Sequence, residues 1–128
     1  MVGGWTEADV ERVRERLVEL VDGLPGVEVE DSFGHVGFML RRRRIAWLFV
    51  NHHNDGRLAL CVKAPAGEVE ALTATDPRRY FVPAYVRGWV GVEMSAVEPD
   101  WSEVRALLEQ AWRMRATKRA VAAYDAGA

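Results

Sequence analysis

Four consecutive arginines, Arg41 to Arg44, are the densest chemistry in the chain. Guanidinium groups engage phosphate oxygens or an acidic partner, and four of them in what reads as a short turn concentrate that capacity at one point. The same run also suits a solvated turn that discourages edge-to-edge aggregation. A second basic region, Arg113, Arg115, Lys118 and Arg119, stands near the C-terminus, where the charge pattern of a helix accounts for it equally well. The chain as a whole carries a formal net charge of -2. A nucleic-acid site therefore has to be a local patch, because attraction to polyphosphate comes from the Lys and Arg that neutralise phosphates.

The remaining reactive residue types are sparse. His52-His53-Asn54-Asp55 has the residue types of a metal site. Neighbouring strand residues point to opposite faces, however, so only His35 and His52 are expected to share one. Two ligands fall short of the three or four that a tight site needs, so no metal is assigned, and Asp55 is expected to serve a turn. Cys61 is the one cysteine, which excludes an internal disulfide and a thiolate cluster. Ser32, Ser95 and Ser102 stand in no Gly-x-Ser-x-Gly elbow, and no general base lies at a motif spacing from Cys61. Gly88-Trp89-Val90-Gly91 matches neither a phosphate loop nor a dinucleotide fingerprint and reads as a strand needing close backbone approach. No catalytic residue and no cofactor is assigned; the expectation is a binding module, not an enzyme.

The elements that position these residues follow from periodicity. Thr6 is a capping hydroxyl ahead of Val10, Val13, Leu17, Leu20 and Val21, which recur at helical spacing, and Gly23 with Pro25-Gly26 ends that helix through a left-handed cap. Val27 to Asp31, Val36 to Leu40, Ile45 to Val50 and Leu58 to Val62 then read as a four-stranded antiparallel meander, with Arg41 to Arg44 at one hairpin tip and Asn54-Asp55-Gly56 as a tight turn. Pro65 precedes a short helix containing Glu68, Val69 and Leu72. Pro83 argues against a central strand at Tyr80-Phe81-Val82. Gly88 to Met94 reads as a fifth strand, and Asp100 caps a last helix that buries Val104, Leu107, Leu108, Ala111 and Trp112, with the residues after it expected to fray.

Taking Arg42-Arg43 as the first hairpin turn sets Val36, Phe38 and Leu40 against Phe49, Trp47 and Ile45, with Ala59, Cys61 and Lys63 extending that aromatic face. The opposite face, Met39, Ala46, Leu48, Val50, Leu58, Leu60 and Val62, is aliphatic and is expected to lie under both terminal helices through Leu17, Leu20, Val104 and Leu108. At 128 residues, 49% hydrophobic and 28% charged, the chain has the length and balance of one folded domain spanning residues 1–128. It shows no apolar run of about 20 residues and no basic-then-apolar pattern in Met1 to Trp5, so a cytoplasmic location without a membrane partner is expected.

Taken in order, Leu24-Pro25-Gly26-Val27, Phe33-Gly34-His35, Lys63, and Gly88-Trp89-Val90-Gly91-Val92 ahead of a final helix resemble the MmcQ/YjbR family over nearly the whole chain. In that family a helix ends at a Leu-Pro-Gly turn, a Phe-Gly-His-like turn enters the meander, a Lys ends a later strand, and a Trp-containing strand precedes the C-terminal helix. The resemblance implies an α/β fold of α+β type, an antiparallel meander with N- and C-terminal helices on one face, similar to CyaY (bacterial frataxin) and to the double-wing domain of the phage transcription factor MotA. It also implies DNA binding or an association with transcription, and it supplies no catalytic residues. In that reading the hairpin is a wing, Arg41, Arg42, Arg43, Arg44 and Lys63 hold the DNA backbone, and Phe38 and Trp47 stack on bases. The acidic first helix, with Glu7, Asp9, Glu11, Glu15 and Glu19, stays away from phosphate. The alternative is a protein- or small-ligand-binding module in which the aromatic face of Phe38, Trp47 and Phe49 forms a pocket or a contact between copies.

Overall fold

The computed structural model describes residues 4–84, 86–95 and 99–127; Met1, Val2 and Gly3, part of the stretch considered for a signal peptide, lie outside the described residues. Helix α1 (Glu7–Asp22) starts at a reciprocal cap. The Asp9 N–H donates to Thr6 Oγ1 at 3.2 Å and the Thr6 N–H donates to the Asp9 carboxylate at 2.8 Å, which satisfies two backbone donors that a helix start otherwise leaves open. Val13, Leu17 and Val21 are its buried stripe. Gly23 ends the helix with right-handed φ (-79°), so the left-handed position expected there falls instead at Gly26 (φ 82°).

Strands β1 (Glu28–Ser32), β2 (His35–Leu40), β3 (Arg43–Val50) and β4 (Leu58–Lys63) form the meander. The chain then makes α2 (Glu68–Thr75) and the two-residue β5 (Tyr80–Phe81), and returns as β6 (Trp89–Glu93) between β4 and β5. The sheet order is β1-β2-β3-β4-β6-β5 with every pair antiparallel. Tyr80-Phe81 is thus an edge strand, and Pro83 falls just beyond it, where a missing N–H costs no ladder bond.

The helices cover one face, as the periodicity of the sequence predicts. Helix α3 (Trp101–Arg115) buries Val104, Leu107, Leu108, Ala111 and Trp112 against Ala46, Leu48, Leu60 and Val62, and Val13, Leu17 and Val21 of α1 belong to the same core. Trp112 is fully enclosed, and its indole N–H donates to Pro25 O at 2.8 Å, satisfying the one polar atom that burial would otherwise strand. The tail does not fray. It forms α4 (Lys118–Gly127), where Tyr124 packs on Trp112 and donates its hydroxyl to Glu109 at 2.7 Å, and Asp125 pairs with Arg113 at 2.6 Å.

The first hairpin departs from the expected register by one residue. Its turn is Arg41-Arg42, because Leu40 pairs with Arg43 and Met39 with Arg44; Phe38 then pairs with Ala46, leaving Ile45 as an extra residue in β3. A bulge of this kind lets two successive residues face the same way. Ile45 and Ala46 both enter the core. Phe38, expected on the open aromatic face, is consequently on the helix-covered face with no exposed surface, and Met39, expected in the core, falls on the opposite one. The second hairpin also differs: Val50 pairs with Leu58, so residues 51–57 form a seven-residue loop with a 3-10 turn at His52–Asn54 instead of a tight turn at Asn54 to Gly56. Trp5 fastens the start of α1 to this loop, its indole N–H donating to Gly56 O at 3.0 Å. Among the described residues no helix is long and apolar enough to cross a membrane.

Candidate functional site

The face turned away from the helices alternates large rings with small residues. Trp47 and Phe49 of β3 stand opposite Cys61 and Ala59 of β4, which in turn stand opposite Gly91 and Glu93 of β6; Phe81 of β5 pairs with Gly91. The two strand glycines are seats for rings. A Cβ at Gly91 would lie 2.4 Å from the tip of the Phe81 ring, and one at Gly37 would lie 3.0 Å from Arg44 Nε and 3.3 Å from the Trp47 ring. Trp47 stacks on Phe49 with centroids 5.3 Å apart, and Phe49 stacks on His52 at 4.1 Å. The four rings Trp47, Phe49, Phe81 and Trp89 are all half-buried.

Two cations of this face are already committed. Arg44 lies over Trp47, 4.2 Å from the ring centre, and donates to Glu30 at 2.6 Å. Glu30 reaches it because it stands opposite Gly37, which itself stands opposite Trp47. Arg57 lies over Phe81 at 3.9 Å and pairs with Glu93. Arg44 is therefore separated from the other arginines of its run, and the open face is close to neutral around Trp47 and Phe81, while Lys63, opposite Trp89 at the far end of β4, stands on it without a carboxylate among the described residues.

Three histidines crowd the loop end. The Val50 N–H donates to His35 Nδ1 at 3.0 Å, so that nitrogen carries no proton and the ring's single hydrogen sits on Nε2. Nε2 faces His52 Nδ1 at 3.4 Å, and the direction of the chain leaves His52 with its own proton on Nε2. Burial lowers the pKa of both rings below the ordinary histidine value, and the neighbouring imidazoles lower them further. His53 packs on His52 at 4.0 Å, which the expectation of opposed strand neighbours did not anticipate, since a 3-10 turn and not a strand carries the pair. Among the described residues no three His, Cys, Asp or Glu side chains converge as metal ligands. Cys61 is buried, and burial pushes its thiol up to about 12, which keeps it protonated and unreactive as a nucleophile.

The basic end lies at the other end of the strands. Arg41 (φ 52°) and Arg42 (φ 67°) are the two central residues of the β2–β3 turn and both are left-handed, a conformation that costs roughly 1–2 kcal/mol per bulky residue. A reciprocal clamp holds them there. Arg41 donates to Arg115 O at 3.0 Å, while Arg115 donates to Leu40 O at 3.2 Å and to Arg41 O at 2.6 Å. Two arginines thereby satisfy carbonyls at the C-terminal end of α3 and in the turn at once. Burial lowers the Arg115 pKa from its usual value, and the like charges of Arg41 and Arg43 lower it further. Lys63 ends β4 on this side, and Lys118 and Arg119 open α4 directly after Arg115 and Ala116-Thr117. Among the described residues, Arg41, Arg42, Arg43, Lys63, Arg115, Lys118 and Arg119 have no carboxylate within ion-pair distance.

Of the residues expected to form one site, the fold thus keeps Arg41, Arg42, Arg43 and Lys63 at the basic end, turns Arg44 onto the open face with Trp47 and Phe49, and removes Phe38 to the core. Sequence reasoning missed Arg57, Phe81 and Gly91 as a unit. Their only signal was a glycine in a strand, which reads as close approach without saying of what. A family model described as YjbR matches residues 22–114, from the end of α1 to the last turn of α3. No curated protein matches the chain.

Proposed function

The chain belongs to the YjbR family, and from its basic end we propose that it binds DNA through the phosphate backbone. One observation carries the reading: the Arg41-Arg42 turn, clamped by Arg115, gathers guanidinium and ammonium groups that no carboxylate of the described residues neutralises. Such a cluster repels itself unless an anion joins it, and phosphates are the anions whose spacing suits several arginines at once. A net charge of -2 does not oppose this, because binding needs only a local patch, and four of the nine acids of α1 and β1 are paired with arginines of their own: Asp9 with Arg12, Glu19 with Arg16, Asp31 with Arg14 and Glu30 with Arg44.

The test is a salt titration. Duplex binding by the wild type should weaken linearly with log salt, and Arg42→Gln/Arg43→Gln should lower the slope by about one unit for each phosphate that is no longer neutralised, equally for unrelated sequences. Circular dichroism confirms that both proteins are folded. Equal slopes would remove the hairpin from the interface, and no binding by the wild type at low salt would end the DNA reading. A second reading, a small-ligand module on the open face, is favoured by the ion pairs of Arg44 and Arg57, which leave the part of that face around Phe49 and Phe81 neutral and aromatic.

A further inference from the structure

The small residues of β4 leave a trough on the open face that the rings of β3 and β5 wall in. Phe49 and Phe81 flank Ala59 and Cys61, and the His52-His53 turn and Asp55 close the loop end, enclosing a cavity of about 250 Å³. Both walls are held before any ligand arrives. Phe49 is packed by Trp47, His35 and His52, and Phe81 lies between Gly91 and the Arg57 guanidinium. Rigid walls spare a ligand the cost of ordering them.

Two polar groups on this cavity are incompletely used. The hydrogen-bond direction from Val50 through His35 makes His52 Nδ1 an acceptor, so Nε2 carries the proton, and among the described residues it has no acceptor. Asp55 Oδ1 accepts from the Arg57 N–H at 2.9 Å, which leaves Oδ2 as an available acceptor. A donor and an acceptor beside aromatic walls match an edge on which a carbonyl or ring nitrogen sits next to an amino group. The size excludes anything large, since the volume lies just below the roughly 300–1,000 Å³ usual for small-molecule sites. The geometry points to a binding site for a planar heteroaromatic molecule of one or two rings, its acceptor taking the His52 Nε2–H and its donor reaching Asp55. This deepens the small-ligand reading of the open face and shares no residue with the basic end.

Full-length protein labelled with nitrogen-15 at histidine and tryptophan tests it by long-range proton–nitrogen NMR. His35 and His52 should both be neutral with the proton on Nε2; the opposite tautomer at His52 would overturn the site. Nicotinamide, cytosine and adenine at millimolar concentration should each shift the His52 signals, whereas cyclohexanecarboxamide, which keeps the amide but lacks a flat ring, should not. His52→Phe keeps a ring on Phe49 and removes the donor, so it should weaken binding by about tenfold, the worth of one hydrogen bond. Undiminished binding by that variant would refute the role of His52. Probes that shift the Trp47 and Trp89 indoles but leave His52 unmoved would refute this site while keeping a ligand on the open face; no shift anywhere on the face would refute both.

Discussion

Gly91→Ala is the sharpest perturbation of the open face, because the structure sets both its size and its dependence on one neighbour. A Cβ at this position would come within 2.4 to 2.6 Å of three Phe81 ring atoms, about 1 Å inside ordinary contact. The ring cannot move freely, since Arg57 lies over it at 3.9 Å and Phe81 belongs to a two-residue strand paired with β6. Overpacking of this kind costs about 1–3 kcal/mol, and displacing Phe81 from Arg57 adds about 0.5–1 kcal/mol. For a chain of this length a loss near 2 kcal/mol lowers Tm by roughly 5 to 12 °C. The decisive measurement is the same substitution in a Phe81→Ala background, followed by thermal and urea unfolding. Gly91 does not occupy a left-handed conformation, so with the ring gone alanine should be neutral or stabilising by about 0.5 kcal/mol through reduced entropy of the unfolded chain. An equal penalty in both backgrounds would show that the ring is not what occupies the space above Gly91.

The register shift and the histidine pair give two further expectations. Phe38→Ala should destabilise by about 3–5 kcal/mol in urea unfolding because the ring is fully enclosed, and Trp47→Ala should cost clearly less despite removing more atoms; the reverse order would refute the bulge at Ile45 and return Phe38 to the open face. His35 and His52 have folded pKa values below 6.5. The unfolded chain therefore binds protons first as pH falls, so wild-type stability is full above about pH 6.5 and declines through the interval below it. His35→Asn retains an acceptor for the Val50 N–H and does not titrate, so its Tm should fall less between pH 7.5 and 5.5; parallel curves would refute the assignment.

Periodicity was enough to place α1, α3, the meander and the aliphatic face of β3 and β4, because burial repeats every 3.6 or every 2 residues and leaves a signal in residue type. Register was not legible at the Arg41 to Arg44 turn. A type I′ turn normally announces itself with Asn or Gly at its left-handed positions, and here the positions are arginines, which give no reason to prefer 41-42 over 42-43. Moving the turn by one residue changes each pairing by two and so preserves faces; the odd residue is the bulge at Ile45. It leaves Trp47 and Phe49 on their expected face while Val36, Phe38 and Leu40 of β2 exchange theirs. Helix α4 was invisible for a different reason: its stability comes from Tyr124 on Trp112 and Asp125 on Arg113, contacts with another helix that no local pattern encodes.

The same offset decides which chemistry each surface can host. With the turn at 41-42, the arginine run is divided. Arg44 points to the open face, where Gly37 makes room for it and Glu30 takes its charge, while Arg41 is drawn to the C-terminal end of α3 and holds Arg42 and Arg43 beside Arg115. Without the bulge Arg44 and Trp47, three residues apart in one strand, would face opposite ways, and a turn one residue later would shift Arg44 relative to Glu30 and loosen the Arg41–Arg115 clamp. Charge that is evenly dense in the sequence is consequently segregated in the fold, neutralised where rings are half-exposed and uncompensated where the backbone is strained. Neutral aromatic walls suit flat, uncharged ligands, and an uncompensated cluster suits polyanions. The two surfaces therefore predict opposite responses to salt: binding at the basic end should weaken steeply as salt rises, and binding in the aromatic trough should hardly change.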